Sequence, residues 1–155
     1  KARRYVYICT PYLIIDNEMM TALCLAAKNG VDVRIMTPGT PDKKLVFLLT
    51  QSYYRQLLEN GVKIYEYQPG FLHAKTFVCD DEIAVVGTIN LDYRSLYLHF
   101  EDGVWIYGND VIWSMKEDFV QTLEDCHTVP LEFCKNRKIP VRIMQNVLRA
   151  FAPML

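Results

Sequence analysis

Apolar and polar positions follow two rhythms along the first two-thirds of the chain. Tyr5 to Cys9 is an unbroken run of apolar, aromatic and β-branched residues that stops at Thr10-Pro11, the pattern of a buried strand. Asp16 then predicts a helix N-cap. Met19, Met20, Leu23, Ala26 and Ala27 follow at three- and four-residue spacing, and Gly30 supplies a stop after about Asn29. Val31 to Met36 is a second strand, ended by the Pro38-Gly39-Thr40-Pro41 loop. A helix from about Lys43 to Asn60 closes on Gly61, and Val62 to Tyr67 is a third strand. This β-α-β-α-β order predicts an α/β domain, a mixed and largely parallel sheet with helices packed on its faces.

The rhythm then changes. Leu72 to Cys79 and Glu82 to Val86 read as strands joined by a tight hairpin at Asp80-Asp81, and Asp102 to Tyr107 as another strand. A helix from about Asp110 to Glu124 carries Val111, Met115, Phe119, Val120 and Leu123 on one face. With 155 residues, 51% hydrophobic and 23% charged, the chain has the size and composition of one globular domain. The expected division is a body over 1–134 and a basic amphipathic helix over 135–155. No apolar run approaches the ~20 residues of a membrane span. The abrupt start at Lys1-Ala2-Arg3-Arg4, without signal-peptide architecture, suggests a piece of a longer protein.

Charge and cysteines narrow the function classes. Net charge is −1, yet Lys135, Arg137, Lys138, Arg142 and Arg149 fall in a stretch with no acidic residue, which leaves the body net acidic. Such a body is a poor electrostatic match for nucleic acid, so no nucleic-acid partner is expected. Cys9, Cys24, Cys79, Cys126 and Cys134 show neither C-x-x-C nor metal-ligand spacing, which points to reduced thiols in a cytoplasm-facing setting. His127 and Cys134 lack the further ligands that would complete a metal shell, so neither a metal nor another cofactor is expected.

The chemistry concentrates between residues 73 and 101. On a strand, His73 and Lys75 project to one face, because side chains two apart share a side. An imidazole beside an ammonium is odd for a core. It makes sense around an anionic electrophile such as a phosphodiester, where the lysine neutralises non-bridging oxygens and the histidine attacks phosphorus or moves a proton. Thr88 and Asn90 repeat the spacing and bring two further hydrogen-bond donors, and Gly87 lets the backbone come close. Taken singly, each of these residues has an ordinary reading as a core or solvated side chain. The combination is what carries the inference.

His73-x-Lys75-x-x-x-x-Asp80, followed by Gly87-Thr88-x-Asn90-Leu91-Asp92-x-Arg94-Ser95, resembles the phospholipase D superfamily signature. Thr10-Pro11-Tyr12, Gly30 to Met36, Pro38-Gly39 and Gly70 to Lys75 look more narrowly like the C-terminal half of bacterial cardiolipin synthases, a resemblance running from about residue 5 to 127. It implies that His73, Lys75, Asn90 and Glu101 are catalytic, with Lys75, Thr88 and Asn90 on the phosphate and Asp80 and Gly87 structural. In such enzymes one histidine forms a phosphohistidine and a second protonates the departing alcohol, then deprotonates the incoming one. The C-terminal copy, here His73, often has the acid/base role. Glu101 matches an acidic residue that holds the histidine ring. His99 stands where these synthases usually have asparagine.

One motif is half of such a site. The resemblance implies a partner, either a missing N-terminal half or a second copy of the chain. It also implies phosphatidylglycerol as substrate and a bacterial cell membrane location, with the catalytic domain on the cytoplasmic side and this piece itself soluble. A homodimeric phosphodiesterase or nuclease of the same superfamily is the rival enzyme, and a silent anionic-lipid-binding module the rival from another class. In the tail, Ile139 to Leu155 reads as an amphipathic helix with Ile143, Met144, Val147, Leu148 and Phe151 in one stripe. Such a helix either lies on an anionic membrane surface or packs on the domain or on the missing half.

Overall fold

The computed structural model describes residues 1–154. Its strands are β1 (Tyr5–Cys9), β2 (Leu13–Ile14), β3 (Asp32–Pro38), β4 (Lys63–Tyr67), β5 (Thr76–Cys79), β6 (Ile83–Gly87), β7 (Leu91–Asp92), β8 (Gly103–Tyr107) and β9 (Cys126–Thr128). Its helices are α1 (Asn17–Lys28), α2 (Lys44–Glu59), α3 (Tyr93–Tyr97), α4 (Val111–Thr122), α5 (Leu131–Lys135) and α6 (Ile139–Ala150). The main sheet runs β8-β6-β5-β1-β3-β4-β9. Its β1-β3-β4 part is parallel, as the strand–helix alternation implies, and every other pairing is antiparallel. It is a mixed sheet with helices on both faces.

Local chemistry explains the elements. Asp16 Oδ1 accepts the Met19 N–H at 2.7 Å and caps α1, satisfying one of the donors a helix start leaves bare. Along β1, Tyr5, Tyr7 and Cys9 point into one core with Met36, Val78, Ile112 and Phe119, so α4 covers that face. Ile8 points the other way, with Val33 and Ile35, under α1 and α2. Tyr54 on α2 is fully buried, and its hydroxyl meets Thr37 Oγ1 at 2.7 Å, pairing two polar groups that would otherwise be stranded.

Several sequence expectations need correction. The strand expected over 72–79 begins only at Thr76, the residue that pairs with Cys9 at the end of its neighbour β1. The small parallel β2–β7 pair and edge strand β9 are too short to leave a periodic signal. On α4 the buried positions are Ile112 and Phe119, whereas Val111 and Val120 are 44% and 43% exposed. The helix expected over 139–155 ends at Ala150, a 3₁₀ turn follows over Ala152–Met154, and the final position of that expectation, Leu155, lies outside the described residues.

The tail packs on α2: Gln145 Nε2 donates to the Leu48 carbonyl at 3.2 Å, and Cys134, Leu148 and Ala152 join the core beneath. The stripe divides. Leu148 faces inward, while Ile143, Met144, Val147 and Phe151 are 48–59% exposed.

Candidate active site

The predicted site residues other than Asp80 gather at one end of the sheet, beyond the C-terminal end of β1, where the chain enters β5, leaves β6 and enters β8. Lys75 precedes β5 and is buried, at 8% exposure, in an extended segment rather than in the ladder. Its ammonium donates to the His73 carbonyl at 2.7 Å, so the residue folds back on the segment that carries the histidine. Burial pulls the Lys75 pKa below the ordinary lysine value, and the Glu101 and Asp92 carboxylates oppose that shift. The His73 ring is exposed and lies 5.5 Å from the Phe71 ring, centroid to centroid.

Gly87 sits opposite Gly103 where β6 and β8 meet. A methyl group there would lie 2.1 Å from the Asp102 carbonyl oxygen, so only glycine permits this approach. The same carbonyl accepts the Thr88 N–H at 2.9 Å. Thr88 Oγ1 in turn accepts the Asp102 N–H at 3.0 Å and donates a short hydrogen bond to Glu101. Ser95 Oγ, buried on α3, donates to the other Glu101 oxygen at 2.8 Å. These two hydroxyls, Thr88 foremost, hold the Glu101 carboxyl below the usual carboxylate range, and the charges of His99 and Lys75 act in the same direction.

The partners of Glu101 differ from those the resemblance implies. Among the described residues its hydrogen bonds come from Thr88 and Ser95. The imidazole beside it is His99, whose Nδ1 is 3.8 Å from Oε1. Asn90 Oδ1 is buried and takes no hydrogen bond among the described residues, so its amide keeps unused capacity. Beside Asn90 opens a cavity of about 180 Å³ walled by Tyr12, Lys43, Arg94, Ser95 and His99. Of these, Ser95 is the residue that sequence reasoning missed. It lies within the quoted signature, but its contact with Glu101 depends on how α3 turns.

Asp80 lies at the opposite end of β5. It accepts the N–H groups of Arg3, Arg4 and Tyr5 at 2.7, 2.9 and 2.8 Å, and so clips the start of β1 to the turn. Asp80 and Asp81 both have positive φ (56° and 61°), a pair that aspartate tolerates, and the Glu82 N–H closes the turn on the Cys79 carbonyl at 3.0 Å. The eight-residue signature thus spans one strand, with its chemistry at one end and its anchor at the other. No cluster of His, Cys, Asp and Glu fit to hold a metal exists among the described residues, and no helix there is long and apolar enough to cross a membrane.

Comparison with known proteins places this geometry. A protein of Streptococcus mutans without assigned function is 52% identical over all of this chain, which spans 34% of its length. Cardiolipin synthases of Clostridium perfringens and Geobacillus kaustophilus are 46% and 42% identical over 99% of the chain, which spans 32% and 31% of them. The chain therefore spans about a third of the length of these relatives. Among solved structures, the fold matches Nuc, a phospholipase D family member from Salmonella typhimurium, with a TM-score of 0.72 at 18% identity over 83% of this chain and 84% of that one. It also matches Haemophilus influenzae phosphatidylserine synthase with a TM-score of 0.76 at 18% identity, over 99% of this chain and 40% of that one. Residues 1–123 match the family described as "Cardiolipin synthase, PLD-like domain", and the chain belongs to that phospholipase D-like family.

Proposed function

We propose that this chain is one catalytic half of a phosphatidyltransferase that makes cardiolipin from two phosphatidylglycerol molecules. One histidine of the complete site attacks phosphorus, forming a P–N bond as the P–O bond to glycerol breaks. The other histidine protonates the departing glycerol oxygen. It then takes the proton from a terminal hydroxyl of the second phosphatidylglycerol, whose oxygen displaces the histidine from phosphorus. The balance is two phosphatidylglycerols to one cardiolipin and one glycerol. His73 takes the acid/base role. Lys75, Thr88 and Asn90 bind the non-bridging oxygens, and Glu101 completes the charge pattern. The second histidine comes from the other half of the enzyme or from a second copy of the chain.

The observation that carries this reading is the buried Lys75 ammonium tethered to the carbonyl of His73, beside an exposed imidazole. A cation is costly to bury without a purpose, and an exposed ring at the open end of the sheet leaves room for a substrate and an opposing half. The test is cardiolipin formation from phosphatidylglycerol vesicles by the full-length enzyme, read by mass spectrometry, with and without His73→Ala. Loss of both cardiolipin and free glycerol in the variant is the expected result. Undiminished synthesis would place the chemistry elsewhere, and phosphatidic acid as the sole lipid product of the wild type would make the enzyme a hydrolase.

A further inference from the structure

Helix α6 is mounted the wrong way round for a helix that only completes a core. The side facing the body is mixed: Leu148 joins the core, Gln145 is buried and bonds to α2, and Arg149 lies 4.5 Å over the Tyr53 ring. Its apolar side faces outward, with Ile139, Ile143, Met144, Val147 and Phe151 at 71, 59, 48, 49 and 53% exposure. Met154 in the following turn is 80% exposed. On a helical wheel these residues share one continuous arc opposite Gln145. Burying that arc against water-excluding material is strongly favourable, yet the fold does not use it.

The charge around the arc says what covers it. Residues 135–155 contain no acidic side chain. Lys135, Lys138 and Arg142 are exposed, and none makes an ion pair with any described residue. Arg142 stands between the arc and a cavity of about 350 Å³ behind α6, whose wall also carries Arg137, Arg149 and the Arg55–Glu59 ion pair. Apolar side chains flanked by the unneutralised cations Lys135, Lys138 and Arg142, with a recess alongside in which arginines outnumber the one glutamate, match the boundary of an anionic bilayer, where acyl chains meet phosphate headgroups. A protein partner would have to present an apolar groove rimmed only by acids.

We propose that α6 is a docking surface for anionic phospholipid bilayers, lying in the interface with its Ile143–Val147 side inserted and Lys135, Lys138 and Arg142 at the headgroups. The surface adjoins the candidate site, since Ala152 just beyond α6 lines the cavity beside Asn90, but it works whether or not that site turns over. The test is co-sedimentation of this chain with phosphatidylcholine vesicles containing no or 50 mol% phosphatidylglycerol, at low and physiological salt. Binding is expected to the anionic vesicles only, weakening with salt. Ile143→Glu with Val147→Glu should abolish it, and Arg142→Gln should weaken it roughly five-fold. His73→Ala should bind like the wild type, which separates this proposal from the catalytic one. All substituted residues are exposed, and an unchanged thermal melt confirms the fold in each variant. Equal binding of neutral and anionic vesicles would overturn the proposal, as would undiminished binding by the double glutamate variant. So would a wild-type dimer in solution that the double variant converts to monomer, since the face would then be a protein interface.

Discussion

Replacing Gly87 by alanine tests whether the close approach of β6 and β8 holds the site together. The added Cβ would lie 2.1 Å from the Asp102 carbonyl oxygen, 2.8 Å from Gly103 Cα and 3.0 Å from the Asp102 carbonyl carbon. All three are backbone atoms, so no flexible side chain can move aside. The strands must separate where Gly87 and Gly103 pair. Overpacking of this kind costs about 1–3 kcal/mol. Moving the Asp102 carbonyl also loosens its bond to the Thr88 N–H, worth about 1 kcal/mol more. The expected destabilisation is about 2–4 kcal/mol, which for a domain of this size lowers the melting temperature by roughly 5–15 °C. Urea unfolding followed by circular dichroism measures it as a lower midpoint at unchanged slope. Gly70→Ala is the control, because an added Cβ there meets nothing within 4 Å, and it should stay within about 0.5 kcal/mol of the wild type. A Gly87→Ala midpoint indistinguishable from that control would refute the reasoning.

Tyr54→Phe strands the buried Thr37 hydroxyl and should cost about 1–2 kcal/mol in the same unfolding assay, whereas Tyr107→Phe, at an exposed Glu82 contact, should cost almost nothing. Burial works against ionisation of Asp80, but the N–H groups of Tyr5, Arg3 and Arg4 outweigh it and hold the carboxyl below the usual range. Its contribution to stability is therefore complete above the ordinary aspartate pKa of about 3.9 and lost as pH falls through the depressed value. Melting temperatures from pH 6 to pH 2 should fall more gently in Asp80→Asn, which tolerates the positive φ, than in the wild type. Thr88→Val removes the foremost cause of the low Glu101 pKa, so a carboxyl-carbon NMR titration should show that group moving up toward the ordinary glutamate value. Burial pushes the thiols of Cys9 and Cys126 up to about 11 and raises those of Cys24, Cys79 and Cys134. Ellman's reagent at pH 8 should label the native chain more slowly than a free thiol, and urea should restore the rate.

The legible parts of this chain were those whose signals are local. Asp16 and Gly30 bracket α1 because capping and stopping are decided within a turn, and the β1-α1-β3-α2-β4 order follows from runs long enough to show their period. The gathering of Lys75, Thr88, Asn90 and Glu101 at one end of the sheet followed from motif spacing. The partner of Glu101 did not. Ser95 reaches it only because Asp92 Oδ1 caps α3 through the Ser95 N–H at 2.7 Å, an arrangement that spacing does not reveal. The loss of regular structure over 72–75 goes with the end of β1 at Cys9, more than sixty residues away. The orientation of α6 was hidden for another reason. A period of 3.6 defines two opposite sides, but the side that meets the body depends on what α2 offers, and α2 offers Leu48's carbonyl to Gln145.

The order of strands in the sheet also fixes an order of events during synthesis. β1, made before every other strand described here, ends up in the middle of the sheet, with β3 on one edge and β5 on the other. Its pairing with β3 closes early, because Tyr5 meets Asp32. Its second edge meets β5 only through contacts such as Val6 with Cys79, some seventy residues later in synthesis. Until then a ribosome-bound intermediate carries an apolar strand with its backbone groups unpaired in the centre of the future core, the kind of edge that recruits foreign strands. Asp80 fastens the pairing once β5 is made, since the turn that follows β5 carries the carboxylate that captures the N–H groups of Arg3, Arg4 and Tyr5. Chains stopped before residue 76 should therefore associate with one another more readily than those extending through β6 to residue 87, in which β1 and β5 are both paired.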